Sequence, residues 1–103
     1  MTYDSVFRQI TRSERGNEMY RITMITDLKR KERTDGRYPL RKGCIVDIIH
    51  LVKGSCMLLL YIKDNEGNDK AGILRTSTVQ DFTWYEEKIA VRTLNSIYYL
   101  VKE

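Results

Sequence analysis

The strongest constraint on the fold is a series of short apolar segments, each bounded by turn residues. Residues 45–62 contain two such segments on either side of Lys53-Gly54, and residues 73–101 contain three more with short connections. Segments of this kind, rich in β-branched and aromatic residues, predict strands rather than helices. The pattern indicates a β-hairpin at residues 45–62, on which the strands of residues 73–101 pack.

An alternating segment at residues 19–28 adds a strand, so the chain contains six or seven predicted strands at nearly regular spacing. This pattern is typical of a small antiparallel barrel. We therefore predict a mainly β protein with one domain over residues 1–103 and a barrel core at residues 43–101. A long segment after the first strand and a one-turn connector at residues 76–78 favour an SH3-like barrel, and an OB-like barrel is the alternative.

The N-terminal residues have a helical periodicity instead. Four apolar side chains share one helical face: Tyr3, Val6, Phe7 and Ile10. This spacing predicts a short helix at residues 2–12. Because so short a helix is marginal alone, we expect it to form only when its apolar face docks on the barrel or on another subunit.

The second strand of the predicted hairpin is apolar on both faces. The even positions of residues 56–62 form one face, and Met57, Leu59 and Tyr61 form the other. A small barrel has one interior, so the outer face of this strand needs a cover. The cover is either the N-terminal helix or a second copy of the chain. We predict a homodimer or larger oligomer with Met57, Leu59 and Tyr61 at its interface.

Cys44 and Cys56 are the two cysteines of the chain. If residues 53–54 form the hairpin turn, the numbers of facing residues sum to about 107, so Cys56 faces Leu51 and Cys44 faces Lys63. The cysteines are then several residue pairs apart, farther than the roughly 4.4–6.8 Å between Cα atoms that a disulfide requires. We predict two free, buried thiols.

The apolar stretches are too short to cross a bilayer, since the longest of them is a single strand. The first residues lack the charged region and apolar core of a signal peptide. We therefore expect a cytoplasmic protein with no membrane partner.

Positive charge is concentrated in one segment. Residues 29–42, hereafter the basic segment, hold seven basic and two acidic side chains, a net charge of +5, whereas the whole chain carries +4. The turn signal Asp35-Gly36 predicts that this segment forms a projecting hairpin or a long arm. Clustered cations neutralise phosphates, and a neighbouring ring can stack on bases. The candidate contact residues are Lys29, Arg30, Lys31, Arg33, Arg37, Arg41 and Lys42, with Tyr38 for stacking.

Two other interpretations of these polar and aromatic residues stay open. The basic segment is also compatible with a solvated loop that keeps a small protein soluble, or with binding to an acidic protein surface. Aromatic side chains could form a stacking platform on the barrel, or they could belong to the core or a subunit interface. The aromatic residues concerned are Tyr61, Trp84, Tyr85, Tyr98 and Tyr99.

Catalytic and metal-binding patterns are absent from the sequence. His50 is the only histidine, and the hairpin register places Met57 rather than Cys56 opposite it, so no Cys–His pair forms. One histidine and two cysteines lack the number and spacing of a metal site. The acidic turn at residues 64–69 lacks the twelve-residue pattern of a calcium loop. We expect no enzyme activity, no cofactor and no metal.

The C-terminal third contains two strand and turn patterns: Arg75-Thr76-Ser77-x-Val79 and Ile89-x-Val91-x-Thr93-x-Asn95-Ser96-x-Tyr98. They resemble the ends of small β-rich accessory proteins of bacteriophages and mobile elements. The resemblance implies a short phage-type protein without enzymatic activity, and some such proteins inhibit bacterial immune systems. The basic character differs from that of inhibitors that mimic DNA with an acidic surface. No functional residue is transferred from the resemblance.

The leading hypothesis is a non-catalytic small barrel that binds nucleic acid, or a nucleic-acid-bearing immune effector, through the basic segment. Such a protein would act as an inhibitor of the anti-CRISPR type. The alternative is a homo-oligomer that sequesters a small anionic signalling nucleotide between subunits.

Overall fold

The computed structural model describes residues 18–103. It contains one helical turn, α1 (Tyr38–Arg41). Its strands are β1 (Tyr20–Thr26), β2 (Ile45–His50), β3 (Cys56–Lys63), β4 (Ile73–Tyr85), β5 (Lys88–Thr93) and β6 (Ile97–Lys102). Each strand pairs antiparallel with its neighbour in sequence, and β6 pairs with β1 to close a barrel. The predicted mainly β class and antiparallel barrel are confirmed, whereas the predicted helix at residues 2–12 lies outside the described residues.

The register of the β2–β3 hairpin follows the prediction in its centre. Val46 lies opposite Tyr61 and Ile48 lies opposite Leu59, so the paired numbers sum to 107. Irregularities at both ends of the ladder shift the pairing by one residue, and His50 therefore lies opposite Leu58 instead of Met57. The turn at residues 53–54 set the central register, because hairpin pairing follows from the position of the turn.

The barrel interior is filled by side chains from all six strands. Met57 and Leu59 are 0% exposed within one chain and belong to the core cluster. The prediction that these two residues form a subunit interface is therefore wrong, because a side chain enclosed by its own barrel has no surface left for a partner. Tyr61 is half-buried and packs against the same core. The outward face of β3 is the one that carries Leu58 and Leu60, which are half-buried.

One continuous strand, β4, replaces the two strands and the connector predicted around residues 76–78. Its first half pairs with β3 and its second half pairs with β5, so β4 spans 13 residues. Thr76 is 7% exposed, and its hydroxyl accepts a hydrogen bond of 2.9 Å from the Met57 backbone N–H. A buried threonine with this partner fits inside a strand, so the polar run does not interrupt β4. The absence of the connector removes one reason for preferring an SH3-like barrel.

Both cysteines are free thiols, as predicted. Cys44 is buried, and its Sγ lies 3.3 Å from the Leu40 carbonyl oxygen, whereas Cys56 is only half-buried. Burial raises the pKa of the Cys44 thiol above its ordinary value, which keeps the thiol protonated and unreactive. Among residues 18–103, no helix has the length and apolar character needed to span a membrane.

Truncation of the buried Leu59 tests its place in the core. Leu59→Ala is expected to lower the free energy of unfolding by about 2–5 kcal/mol, because it leaves a cavity among fully buried neighbours. Leu94 is 53% exposed. Leu94→Ala is therefore the matched control and should change the free energy of unfolding by about 0.5 kcal/mol or less. Urea unfolding measures both. A Leu59→Ala protein of unchanged monomer stability but altered oligomeric state would instead support the interface assignment.

Candidate nucleic-acid interface

The basic segment begins within a tight loop that follows β1. Asp27 Oδ1 accepts hydrogen bonds from the backbone N–H groups of Lys29 (2.8 Å) and Lys31 (3.0 Å), and the Asp27 N–H donates to the Lys31 carbonyl. The bond from Lys31 is the main reason why the pKa of Asp27 lies below its ordinary value. Residues 27–31, hereafter the Asp27 loop, thus hold Lys29, Arg30 and Lys31 in fixed, exposed positions.

The same loop occurs a second time at residues 64–68, hereafter the Asp64 loop. Asp64 Oδ1 accepts hydrogen bonds of 2.8 and 2.9 Å from the N–H groups two and four residues later. The fourth residue of each loop has a positive φ angle, 71° for Arg30 and 87° for Gly67. This conformation costs an L-residue roughly 1–2 kcal/mol but is open to glycine. Arg30 therefore occupies a position that the backbone favours for glycine.

The remainder of the basic segment folds back on the barrel. The guanidinium carbons of Arg33 and Arg41 lie 4.3 and 4.9 Å from the centre of the Tyr38 ring. Arg33 forms a two-bond pair with Asp35, and Arg41 donates a 3.0 Å hydrogen bond to the hydroxyl of Tyr98. The prediction of a projecting hairpin or a long arm is therefore wrong, because the bond from Arg41 to Tyr98 and a 2.8 Å bond from Arg33 to the Asn95 carbonyl hold the segment against the barrel.

Tyr38 is half-buried and packs against the core. Its hydroxyl accepts a 3.1 Å hydrogen bond from Ser96 Oγ, and its ring has the guanidinium groups of Arg33 and Arg41 as cation–π partners. Tyr38, itself a residue of the basic segment, thus attaches this segment to the end of the barrel. This position gives Tyr38 a structural role and does not support the predicted role in base stacking.

The cations of the basic segment divide into two groups. Besides Arg33 and Arg41, Lys42 is paired, with its Nζ 2.7 Å from Glu32 Oε2. Within residues 18–103, the other four cations are exposed and make no ion pair or side-chain hydrogen bond: Lys29, Arg30, Lys31 and Arg37. Three of these four are on the Asp27 loop, so the fold concentrates the available positive charge there.

The Asp27 loop lies beside the outer surface of β4, β5 and β6. A groove of about 420 Å³ separates the loop from these strands, and a cavity of about 300 Å³ continues it towards the β4–β5 turn. Tyr85 and Tyr99 line both spaces, which we together call the outer groove. Other side chains that face it are Leu28, Arg30, Thr83, Ala90 and Arg92.

The barrel separates the aromatic residues that the sequence suggested as one platform. Tyr98 is 2% exposed, and burial raises the pKa of its hydroxyl above the ordinary value. Tyr61 and Trp84 pack partly buried against the core. Only Tyr85, which is 49% exposed, and the half-buried Tyr99 face the outer groove. Two of the five rings are therefore available to a ligand in this groove.

Sequence reasoning missed Arg92 and Ala90. Both lie on the outer face of β5, where Ala90 is paired with Thr83 on one side and with Tyr99 on the other. The short turn between β4 and β5 fixes these pairs, so its position was the signal that could have found them. Without the barrel, nothing in the sequence connects Arg92 to the Asp27 loop.

The reactive side chains that remain within residues 18–103 do not form a recognisable catalytic set. His50 Nε2 lies 3.2 Å from Ser55 Oγ. A serine–histidine pair requires a third group that orients the imidazole, and within residues 18–103 no second side chain hydrogen-bonds to the ring of His50. In the same part of the chain, no three His, Cys, Asp or Glu side chains are grouped so as to hold a metal ion.

Comparison with known proteins gives no family assignment. The chain matches no protein-family model, no curated protein and no solved structure. A functional proposal therefore depends on the geometry and charge of the residues described above.

Titration of Asp27 tests how the loop is held. The pKa of Asp27 lies below its ordinary value of 3.8, so this carboxylate stabilises the folded state above that pH, and the contribution is lost as the pH falls through the lowered pKa. The backbone amide resonances of Lys29 and Lys31 should therefore shift with a midpoint below pH 3.8. Asp27→Ala should abolish this dependence. A midpoint above 3.8 in the wild-type protein would contradict the hydrogen-bonded loop.

Exchange of the left-handed residues tests the equivalence of the two loops. Arg30→Gly relieves the backbone cost and is expected to raise the free energy of unfolding by up to about 1 kcal/mol, after the extra entropy of glycine in the unfolded chain is subtracted. Gly67→Arg introduces the same backbone cost and should lower the free energy of unfolding by about 0.5–1 kcal/mol. Urea unfolding of both variants provides the comparison. Changes of the same sign would show that the loops are not equivalent.

Proposed function

We propose that this protein is a non-catalytic binding protein that contacts nucleic acid, or an immune effector that carries nucleic acid, through the Asp27 loop. The observation that supports the proposal is the division of the basic segment. Arg33, Arg41 and Lys42 have partners within the barrel, whereas Lys29, Arg30 and Lys31 are exposed and make no ion pair within residues 18–103. Cations without internal partners are the ones that can neutralise the charge of a ligand.

Phosphate groups suit this loop for an electrostatic reason. A lysine or arginine that neutralises a phosphate releases condensed counterions, so the logarithm of the binding constant falls by roughly 0.7–0.9 per contact for each tenfold rise in salt. Three cations held within one five-residue loop provide up to three such contacts. The paired acidic residues of the basic segment, Glu32 and Asp35, are engaged with Lys42 and Arg33, so they oppose a polyanion less than free carboxylates do.

The wider biological assignment remains a set of predictions. We infer a protein of phage or mobile-element origin that inhibits a bacterial immune effector in the host cytoplasm, which agrees with the resemblance of the C-terminal segments. An SH3-like barrel, with an OB-like barrel as the alternative, is the corresponding prediction for the fold subtype. The absence of an assembled nucleophile and base among the described residues favours a binding function over catalysis.

A homo-oligomer that sequesters a small anionic nucleotide is the second candidate. A space of about 490 Å³ beside Lys29, Tyr38 and Asn95 favours it, because a cation and a ring line a volume of mononucleotide size. Asp27 and Arg33 also line this space, and Arg33 is paired with Asp35. Burial of Met57 and Leu59 removes two of the interface residues that first suggested this function. Size-exclusion chromatography with light scattering, recorded at 260 and 280 nm, tests it. A monomer without excess absorbance at 260 nm would reject this candidate.

Neutralising the Asp27 loop tests the leading proposal. The variant with Lys29, Arg30 and Lys31 all changed to Gln should bind a labelled single-stranded oligonucleotide of about 20 nucleotides at least about tenfold more weakly than wild type. The slope of log affinity against log salt should become shallower by about 2, because up to three phosphate contacts are lost. Fluorescence anisotropy between roughly 50 and 200 mM salt measures both quantities.

A matched control changes three cations elsewhere on the barrel, Lys63, Lys70 and Arg75, to Gln. This control removes the same formal charge and should retain most of the affinity and the salt dependence. Equal losses in the two triple variants would mean that net charge alone drives binding. If the wild-type protein binds neither single strands nor duplexes, the proposal is wrong.

A further inference from the structure

We propose that the outer groove is a binding site for single-stranded nucleic acid, in which unpaired bases stack on Tyr99 and Tyr85 while Arg30 and Arg92 contact the phosphates. This inference rests on the proposed function and deepens it. It names the form of nucleic acid, the surface that receives the bases and the residues on each side of it.

An aromatic side chain, the half-buried Tyr99, lines the groove. On the outer surface, Ala90 is paired with Tyr99, which is paired in turn with Met24 of β1. The alanine side chain ends at its Cβ, so it leaves an open space beside the Tyr99 ring. Tyr85 stands at the far end of the same space and is 49% exposed. The two tyrosines lie on one outer sheet surface, with Ala90 and Lys88 of β5 between them, and rings on such a surface can stack on unpaired bases.

Positive charge lies on the edges of this surface. Arg30 reaches it from the Asp27 loop and Arg92 reaches it from β5, and both line the groove. Lys88 lines the cavity that continues the groove. Asp81 is the one carboxylate among the side chains that line these spaces within residues 18–103, and Lys53 Nζ lies 3.3 Å from its Oδ1. The groove is therefore complementary to a ligand that combines flat rings with negative charge.

The backbone at Arg30 points to the same surface. The Asp64 loop shows that a glycine satisfies this loop geometry without strain. An arginine at the equivalent position keeps a left-handed conformation at a cost, and strained residues of this type cluster at binding sites. The side chain of Arg30 borders the outer groove, so the strained position is the one that carries a cation to the edge of this surface.

A duplex fits these features less well than a single strand. Bases inside a duplex have both faces stacked on their neighbours and cannot lie on Tyr99 without being extruded, which costs a few kcal/mol. Single-stranded bases have free faces, and stacking on a protein ring tolerates any base. We therefore expect a preference for single strands with little dependence on sequence.

The experiment compares wild type with Tyr99→Leu and Tyr99→Phe by fluorescence anisotropy. The probes are an oligothymidylate of about 12 nucleotides and an abasic oligomer of equal length, which keeps the phosphates but lacks the bases. Tyr99→Leu should weaken binding of the oligothymidylate at least about fivefold, the lower end of the range for loss of one base stack. It should leave binding of the abasic oligomer unchanged. Tyr99→Phe, which retains the ring, should bind like wild type.

A second pair of variants tests Arg30 at constant charge. The double variant Arg30→Gly with Gly67→Arg has the composition and net charge of the wild-type protein but moves the cation to the Asp64 loop. Its affinity for both probes should fall by about the same factor as that of Arg30→Gly alone. If the double variant instead binds like wild type, the position of Arg30 at the groove is irrelevant and this part of the inference is wrong.

The outcomes separate the inference from the proposed function. If the triple Gln variant of the Asp27 loop loses binding but Tyr99→Leu binds oligothymidylate like wild type, the groove assignment is wrong while the electrostatic site remains. If no probe binds the wild-type protein, both are wrong. Thermal unfolding verifies that each variant is folded, and Tyr85→Leu, at a more exposed position, provides the same test of stacking should Tyr99→Leu fail to fold.

Discussion

Backbone hydrogen bonds between β1 and β6 close the barrel. In this ladder Tyr20 lies opposite Lys102 at one end and Thr26 lies opposite Ile97 at the other. Closure removes the two free strand edges that an open six-stranded sheet would expose. It also determines which surfaces meet. Because β1 ends beside the start of β6, the loop that follows β1 lies against the outer face of β6, β5 and the second half of β4. The Asp27 loop and the tyrosines of the outer groove are neighbours for this reason, although more than 50 residues separate Arg30 from Tyr85 in the chain.

Contacts with the barrel also determine which cations of the basic segment are left exposed to bind a ligand. Arg33 donates to the Asn95 carbonyl and Arg41 donates to the Tyr98 hydroxyl, and these bonds hold the segment against the end of the barrel. A cation used in this way holds structure together and has little capacity left for a ligand. The exposed lysines and Arg30 on the Asp27 loop have no such task within residues 18–103. Paired cations and exposed, unpaired cations thus lie within one fourteen-residue segment of the described residues.

The sequence predicted the class of fold, the central register of the β2–β3 hairpin and the location of the positive charge, because alternation, turn residues and composition are local signals. It did not predict which face of β3 is internal, since both faces are apolar and alternation alone cannot choose between them; Met57 and Leu59 were therefore assigned to the wrong side. Thr76, Ser77 and Thr78 gave the signal of a connector because three hydroxyl residues interrupt the apolar pattern, whereas in the structure Thr76 bonds to Met57 of the neighbouring strand β3. The sequence contains no signal for the left-handed backbone of Arg30. The approach of the Asp27 loop to Tyr99 depends on barrel closure, which joins segments that are distant in sequence.

A chemical-shift map tests whether nucleic acid binds through one side of the barrel. The isotope-labelled protein is titrated with an oligothymidylate of about 12 nucleotides, and the backbone amide shifts are followed. We expect the largest changes in the Asp27 loop and around Ala90, Arg92 and Tyr99, with little change in the Asp64 loop. Saturable shifts centred on the Asp64 loop or on β2 and β3, or no shifts at all, would contradict it.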